Sequence, residues 1–523
     1  MSDADGRPAT SPFPIKTSPP PIRWWPAVAL TGLASVLLAA VWLREAVDQQ
    51  RQVVTTLVVG IFFALGLILW LVFFSRLRPR LRGGIALGSL AATLLFFTFF
   101  RVQGVSGNFI PILSPRFGGG PRLAAQSTTA KVDIATSPND FPQFRGPARD
   151  GRVEGVRLGR DWVTHPPHEL WRRPVGSGWS GFAVVGQLAI TQEQREDQEV
   201  VTAYDLVSGE PRWSHAAPGF FENTLGGDGP RATPTVEGGE VFTFGPTGLL
   251  RALELSTGRL LWSRQAAEEN GGKRPEWGYA GSPLLVGELV VVTVGGEAGQ
   301  SLVAYHRKSG DKAWSGGSDR AGFSSPQLAS LDGHQQILIF NQSSVAGHDP
   351  QDGRLLWSFP WSAKQPNVAQ PVLLTDHSLL VSSGYGVGSA RLEVRRAGAS
   401  WTVQELWQNN QMKAKFSNLV RHGGKIYGLD DGIFACLDPE SGQRCWKEGR
   451  YGHGQMLLVG DLLLLLSESG ELVLIEPNPA GLAELARFPV LSGKTWNTFA
   501  LSGNKLLVRN SQEAACFELP LAG

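Results

Sequence analysis

The sequence is poor in the side chains that most often carry chemistry. Its 523 residues include three cysteines, three methionines, six tyrosines and nine histidines. Cys436, Cys445 and Cys516 form no Cys-x-x-Cys pair and no Cys-x-x-Cys-His, and the histidines fall at no ligand spacing, which excludes a structural zinc site and covalently attached haem. Net charge is also small, +2 from 48 basic and 46 acidic residues, and no basic stripe accompanies a reading element, so a nucleic-acid partner is excluded. What is plentiful is 63 glycines, 34 prolines and 17 tryptophans, suited to many tight turns around a large apolar core.

These residues recur in order. A small residue, an apolar one and often an acid enter a turn closed by glycine, and tryptophan stands four residues later: Gly209/Trp213, Gly258/Trp262, Gly310/Trp314, Gly353/Trp357 and Gly442/Trp446. Glycine suits a tight turn that needs positive φ, and Asp205, Asp349 and Asp438 can accept from turn amides. Trp171, Trp407 and Phe488 extend the series to eight marks spaced 39 to 52 residues apart, the length of a four-stranded propeller blade. The spacing predicts an all-β, eight-bladed propeller. Trp171 lies on an outer-type strand without its own hairpin, and the C-terminus, 495–519, has three strands without a tryptophan strand, so the two ends should complete one blade. Seven blades is the alternative, because Arg395-Arg-Ala-Gly-Ala-Ser-Trp401 replaces the usual turn in the fifth unit.

Ahead of the repeats, residues 1–22 are polar and proline-rich and are expected to be a disordered cytoplasmic tail. Residues 23–101 read as a membrane anchor of three helices, at about 24–43, 53–74 and 84–100; at about 1.5 Å per residue the first two span a hydrocarbon core of about 30 Å and the shorter third is near the lower limit. Arg76, Arg78, Arg80 and Arg82 in the short second loop should stay in the cytoplasm, which sends the chain after Arg101 outside. In a bacterium this places the anchor in the inner membrane and residues 141–523, the propeller, in the periplasm. Residues 102–140, rich in Gly, Pro, Ser and Thr, read as a linker. The strap Phe-Pro-Gln-Phe-Arg-Gly-Pro at 141–147 is expected to pack on the outside of the propeller, with a ligand-binding arm as the alternative.

The strap, Gly-Trp-Ser-Gly at 178–181, Gly-Asp-Gly-Pro-Arg at 227–231 and Trp-Gly-Tyr-Ala-Gly-Ser-Pro at 277–283 resemble, with the repeats, the bacterial PQQ-like propeller-repeat proteins. That group is related to the outer-membrane assembly propeller BamB and to quinoprotein dehydrogenases. The resemblance implies the quinoprotein-like fold and leaves two functions open. One is a binding or scaffold module for an envelope protein or complex, anchored in the lipid bilayer, with no cofactor. The alternative is a dehydrogenase using PQQ with calcium to oxidise an alcohol or sugar and pass electrons toward the membrane. The chain departs from the dehydrogenases in lacking a vicinal cysteine pair, and their calcium set and catalytic aspartate match no positions here.

Candidate ligand-binding residues stand where one blade passes to the next: Trp179, Glu222, Asp228, Arg231, Glu276, Tyr279, Lys415, Tyr451, His453, Trp496 and Asn497. Converging at one mouth of the axial channel, they would form a charged, aromatic cup. Blade packing of Trp179 and Trp496, and pairing of Arg231 with Asp228, is the structural alternative. Cys436 and Cys445 flank a turn symmetrically, so simple hairpin register would permit a disulfide, whereas a bulge would slip them apart by one residue.

Overall fold

The computed structural model describes residues 21–43, 49–117, 123, 131–296 and 298–523. The tail expected at 1–22 lies outside these apart from its last two residues, as do 44–48 in the first loop and 118–122 and 124–130 in the expected linker. Two compact units are present: the N-terminal helices through Arg101 with Leu113–Phe117, and Val102–Ile112 with the chain beyond.

The first unit holds three helices long and apolar enough to cross a membrane: Trp25–Trp42, Gln49–Phe74 and Pro79–Phe99. Pro26 and Pro79 sit in first turns, where a missing N–H costs nothing. The third helix starts earlier than its hydropathy suggests and takes Arg80 and Arg82 into its first turn. The Arg82 guanidinium offsets its unfavourable place at a helix N-terminus by donating to Val72 O at 2.7 Å and Leu77 O at 3.2 Å, next to the end of the preceding helix.

The second unit is an eight-bladed β-propeller. Seven blades are formed by consecutive strands, with inner strands Ala183–Val185, Thr235–Glu237, Leu284–Val286, Gln327–Leu331, Val372–Thr375, Val420–His422 and Gln455–Val459 in blades 1 to 7. Blade 8 joins Ala500–Ser502, Lys505–Arg509 and Glu513–Glu518 to His168–Pro174, with Cys516 opposite Trp171. The ring therefore closes by a strand from each end, as the incomplete end units require. The fifth unit, degenerate in its turn, still forms a full blade through the long hairpin Gly388–Ala397 and Ser400–Asn409, which settles the count at eight.

The recurring glycine and tryptophan are two halves of an inter-blade clasp. Gly209, Gly258, Gly310, Gly353 and Gly442 all have φ between 70° and 75°, and each N–H closes its turn onto a carbonyl four residues back. A Cβ on any of these glycines would overlap the indole of the preceding blade's tryptophan: Trp171, Trp213, Trp262, Trp314 and Trp407 respectively. In four of the five the indole N–H also donates into the same turn, as from Trp171 to Leu206 O, Trp213 to Leu255 O and Trp407 to Pro439 O at 2.9 to 3.0 Å, whereas the Trp314 N–H is buried without an acceptor. Blade 5 has no such turn to offer, and Trp357 of blade 4 donates back to Gln336 of its own blade instead. Burial of these rings joins neighbouring blades, so the repeat length seen in sequence is the repeat of an interface.

The strap at 141–147 does not lie on the outside, as expected, but crosses the axial end of the ring. Phe141 bridges to Val184 of blade 1, and Pro142 O accepts from Val236 of blade 2. Arg149 donates to Ser282 O and Pro283 O of blade 3 at 3.0 and 2.8 Å, Arg145 reaches Leu419 O of blade 6 at 2.8 Å, and Arg152–Val153 pairs in parallel with blade 7. The reason is supply and demand for hydrogen bonds. Innermost strands leave carbonyls unpaired at the axis, and two guanidinium forks satisfy them without any acid. Burial pushes Arg149 down to about 9 and Arg145 to about 10, the latter opposed by Asp150.

Candidate functional site

An aromatic cup at the axis

One position in seven of the eight blades builds the site. Three residues before Phe182, Pro234, Pro283, Pro326, Pro371, Leu419 and Phe499 stand Trp179, Arg231, Ala280, Phe323, Val368, Phe416 and Trp496, and all seven line one axial cavity of about 170 Å³. Trp496 lies between Trp179 and Phe416, with ring centroids 5.1 and 5.0 Å away, and Phe323 meets Trp277 at 5.3 Å. Just beyond them a polar hoop ties the blades together: Gly181 N–H to Thr233 Oγ1, Thr233 N–H to Ser282 Oγ, Ser282 N–H to Ser325 Oγ and Gln370 N–H to Asn418 Oδ1. Phe144 of the strap also lines the cavity.

A turn from the stretch read as linker occupies the mouth. Residues 105–109 pack with the propeller unit, and Val105, Ser106, Gly107 and Phe109 line the cavity. Lys415 Nζ donates to Gly107 O at 2.5 Å and lies 4.5 Å from the Tyr385 ring centre. Glu468 Oε1 accepts from Gly107 N–H at 2.6 Å and from Trp496 Nε1 at 2.9 Å, while Oε2 accepts from His453 N–H at 3.1 Å. Lys494 Nζ donates to Val105 O at 3.1 Å and sits 4.2 Å from the Trp496 ring centre. Burial pushes the Lys494 ammonium down to about 8, with Glu468 acting in the opposite direction. His453 is fully buried. Burial, then Lys415 and Arg450, hold its imidazole well below its ordinary value, so it is neutral, with Nε2 3.2 Å from Asn108 Oδ1.

The residues expected at the cup are thus divided. Trp179, Arg231 and Trp496 line it, and Lys415 and His453 hold the turn. Arg231 does not hydrogen-bond to Asp228: its guanidinium donates to Gly229 O at 2.5 Å and Gly227 O at 2.6 Å, and burial, opposed by Asp228, pushes it down to about 9. Asp228 accepts from Asn223 N–H, shaping the same loop. Asn497 ties blade 8 to Gly178 O and Ser180 O ahead of blade 1. Tyr279 is buried core with its hydroxyl on Val294 O, and Tyr451 is buried with its hydroxyl on Glu484, while Glu222 and Glu276 are exposed outside the cavity. Glu468, Lys494, Phe416 and Phe323 were missed. The equivalent position three residues before each inner-strand opening was the signal that could have found the aromatic pair.

Cys436 is buried opposite Trp446, and a bulge leaves exposed Cys445 between that pair and the next; both are free thiols. Burial, then Cys445, pushes the Cys436 thiol up to about 12.

The donor set does not fit calcium with a quinone. Calcium takes six to eight oxygen ligands, but among the described residues no group of three or more His, Cys, Asp or Glu could hold a metal. At the cup both Glu468 oxygens accept from N–H groups, and Arg231 is turned to main-chain carbonyls rather than to a ligand carboxylate.

A family model described as "Outer membrane protein assembly factor BamB" matches residues 166–276 and 196–448. Among solved structures, BamB from Moraxella catarrhalis is 15% identical, covering 68% of this chain and 98% of its own, with a TM-score of 0.48. A quinohemoprotein alcohol dehydrogenase, ADHIIG from Pseudomonas putida HK5, is 12% identical over 74% of this chain and 81% of its own, with a TM-score of 0.50. The quinohemoprotein alcohol dehydrogenase from Comamonas testosteroni is 13% identical over 75% and 82%, with a TM-score of 0.49. At such identities the likeness is one of fold. No curated protein matches the chain.

Proposed function

The chain belongs to the family described as outer membrane protein assembly factor BamB, and on that premise we propose that it is a membrane-anchored periplasmic propeller that binds an envelope protein or protein complex. Its three apolar helices hold it in the bacterial inner membrane, and the propeller presents the cup. The observation that carries this reading is the chemistry of the cup. Lys415, Lys494 and Glu468 are spent on main-chain atoms of a polypeptide segment, and aromatic rings wall the cavity. Such a surface recognises peptide. It has no paired acid and base aimed at a reacting atom, and its donors do not suit the calcium–quinone group of the dehydrogenases.

Site-specific photocross-linking in cells tests the proposal. A photoreactive residue replacing Leu225, exposed at the rim of the cavity, is expected to trap a discrete envelope polypeptide. The same group at Val163, 93% exposed and away from the cup, should trap none. Identical adducts from both sites, or none from Leu225, would overturn the reading. So would calcium-dependent quinone binding by the purified chain with alcohol- or sugar-dependent dye reduction.

A further inference from the structure

The turn in the cup is held more specifically than a passing segment requires. Ser106 O accepts from Phe109 N–H and Ser106 N–H donates to Ile110 O, both at 2.9 Å, while Ser106 Oγ accepts from the amides of Asn108 and Ile110. Phe109 has φ 65°, a left-handed conformation that a bulky residue keeps only where its surroundings impose it. Both main-chain polar atoms of Gly107 are bound by charged side chains, Glu468 on N–H and Lys415 on the carbonyl. Lys415 stands on the crossing from blade 5 to blade 6 and Glu468 in the turn between two strands of blade 7, and neither takes part in the hoop that ties the blades.

Gly107 is selected by space. A Cβ there would lie 2.8 Å from His453 Cγ and closer still to Cδ2. His453 is itself completely buried, and its Nδ1 has no partner. The cup therefore discriminates at this position against every other residue, by sterics, and reads the flanking residue through Asn108. That is how a peptide receptor behaves, with main-chain bonds for affinity and one tight position for specificity.

We propose that the axial cup is a receptor for a tight, glycine-centred peptide turn, that the chain's own Ser106-Gly107-Asn108-Phe109 turn is its resident ligand, and that a partner protein binds by presenting a turn of the same chemistry in its place. This rests on the peptide-binding reading above and adds the ligand class and its regulation. Being part of the same chain, the resident turn competes intramolecularly, at an effective concentration on the order of millimolar. A partner must therefore add contacts at the rim, and a free peptide binds well only when the resident turn is expelled.

The test uses the full-length chain in detergent and a labelled synthetic peptide of residues 102–112. Gly107→Val in the chain should drive the resident turn out of the cup. The peptide is then expected to bind this variant at least about tenfold more tightly than the wild-type chain, because the tethered competitor is gone. A peptide carrying Gly107→Val should bind neither, and adding Glu468→Gln to the variant chain should weaken binding of the native peptide. The wild-type chain supplies a second readout that needs no substitution: millimolar peptide should accelerate hydrogen exchange of the Gly107 amide. Equal peptide binding to both chains, no binding to a variant that melts as wild type does, or unchanged Gly107 exchange would each overturn the proposal. Peptide failure with Leu225 cross-links retained sinks the turn receptor alone. Peptide binding with those cross-links absent sinks the envelope partner instead.

Discussion

The clasp between blades makes a prediction that can be worked through. Gly258 has φ 72°, and a Cβ added there would lie 2.7 Å from Trp213 Cδ2. Gly258→Ala therefore incurs two costs. The left-handed backbone costs an L-residue roughly 1–2 kcal/mol. Moving the indole aside weakens its bond to Leu255 O, worth about 1 kcal/mol, and opens gaps in a ring that is completely buried. Together they should destabilise by about 2–4 kcal/mol. Trp213→Ala should cost about 3–5 kcal/mol, as for other large aromatics removed from a core. Once the ring is gone, Gly258→Ala should retain only its backbone cost, so the double variant should fall short of additivity by about 1–2 kcal/mol. Gly287→Ala isolates that backbone cost, since Gly287 has φ 56° and a Cβ would meet nothing within 4 Å. Guanidinium unfolding of the full-length chain in detergent, followed by circular dichroism, measures all four as midpoint shifts at a common slope. Equal cost of Gly258→Ala with and without Trp213, or a cost no greater than that of Gly287→Ala, would refute the clasp.

Burial, reinforced by Arg251, pushes His215 down to about 4. Between the unperturbed 6.5 and about 4 the unfolded chain takes up a proton that native His215 refuses, so this contribution to stability is lost as pH falls through that window. His215→Gln should lose less stability than wild type over the same range in pH-dependent unfolding. For topology, a reporter active only in the periplasm should be active when fused after Arg101 and inactive after Arg82, following Arg76, Arg78, Arg80 and Arg82 at the junction of the second and third helices; the reverse pattern refutes the orientation. In unreduced native protein, alkylation followed by mass spectrometry should modify exposed Cys445 and spare buried Cys436 and Cys516 until unfolding, whereas a peptide linking Cys436 to Cys445 would contradict the free-thiol arrangement.

Sequence exposed the parts of this protein whose cause is local or periodic. Gly209 and Trp213 advertise the clasp because each blade must meet the next in the same way, and incomplete strands at the two ends advertise closure because an open ring leaves edges unpaired. The cup was half visible for the same reason. Trp179, Arg231 and Trp496 share one repeat position, but Tyr279 stands one residue before the axial Ala280, and that offset turns it into the core. What stayed hidden depends on partners remote in sequence. Arg149 satisfies carbonyls 133 and 134 residues away, and Arg145 one 274 residues away, so nothing near the strap signals that it belongs on the axis. The turn at 106–109 was hidden by its composition. Glycine beside serine and asparagine is the signature of a loop, yet Gly107 is glycine because an imidazole 346 positions on leaves no room for a Cβ. Chain flexibility and close approach to another surface select the same residue, and only the presence of His453, Lys415 and Glu468 around it separates a tether from a ligand.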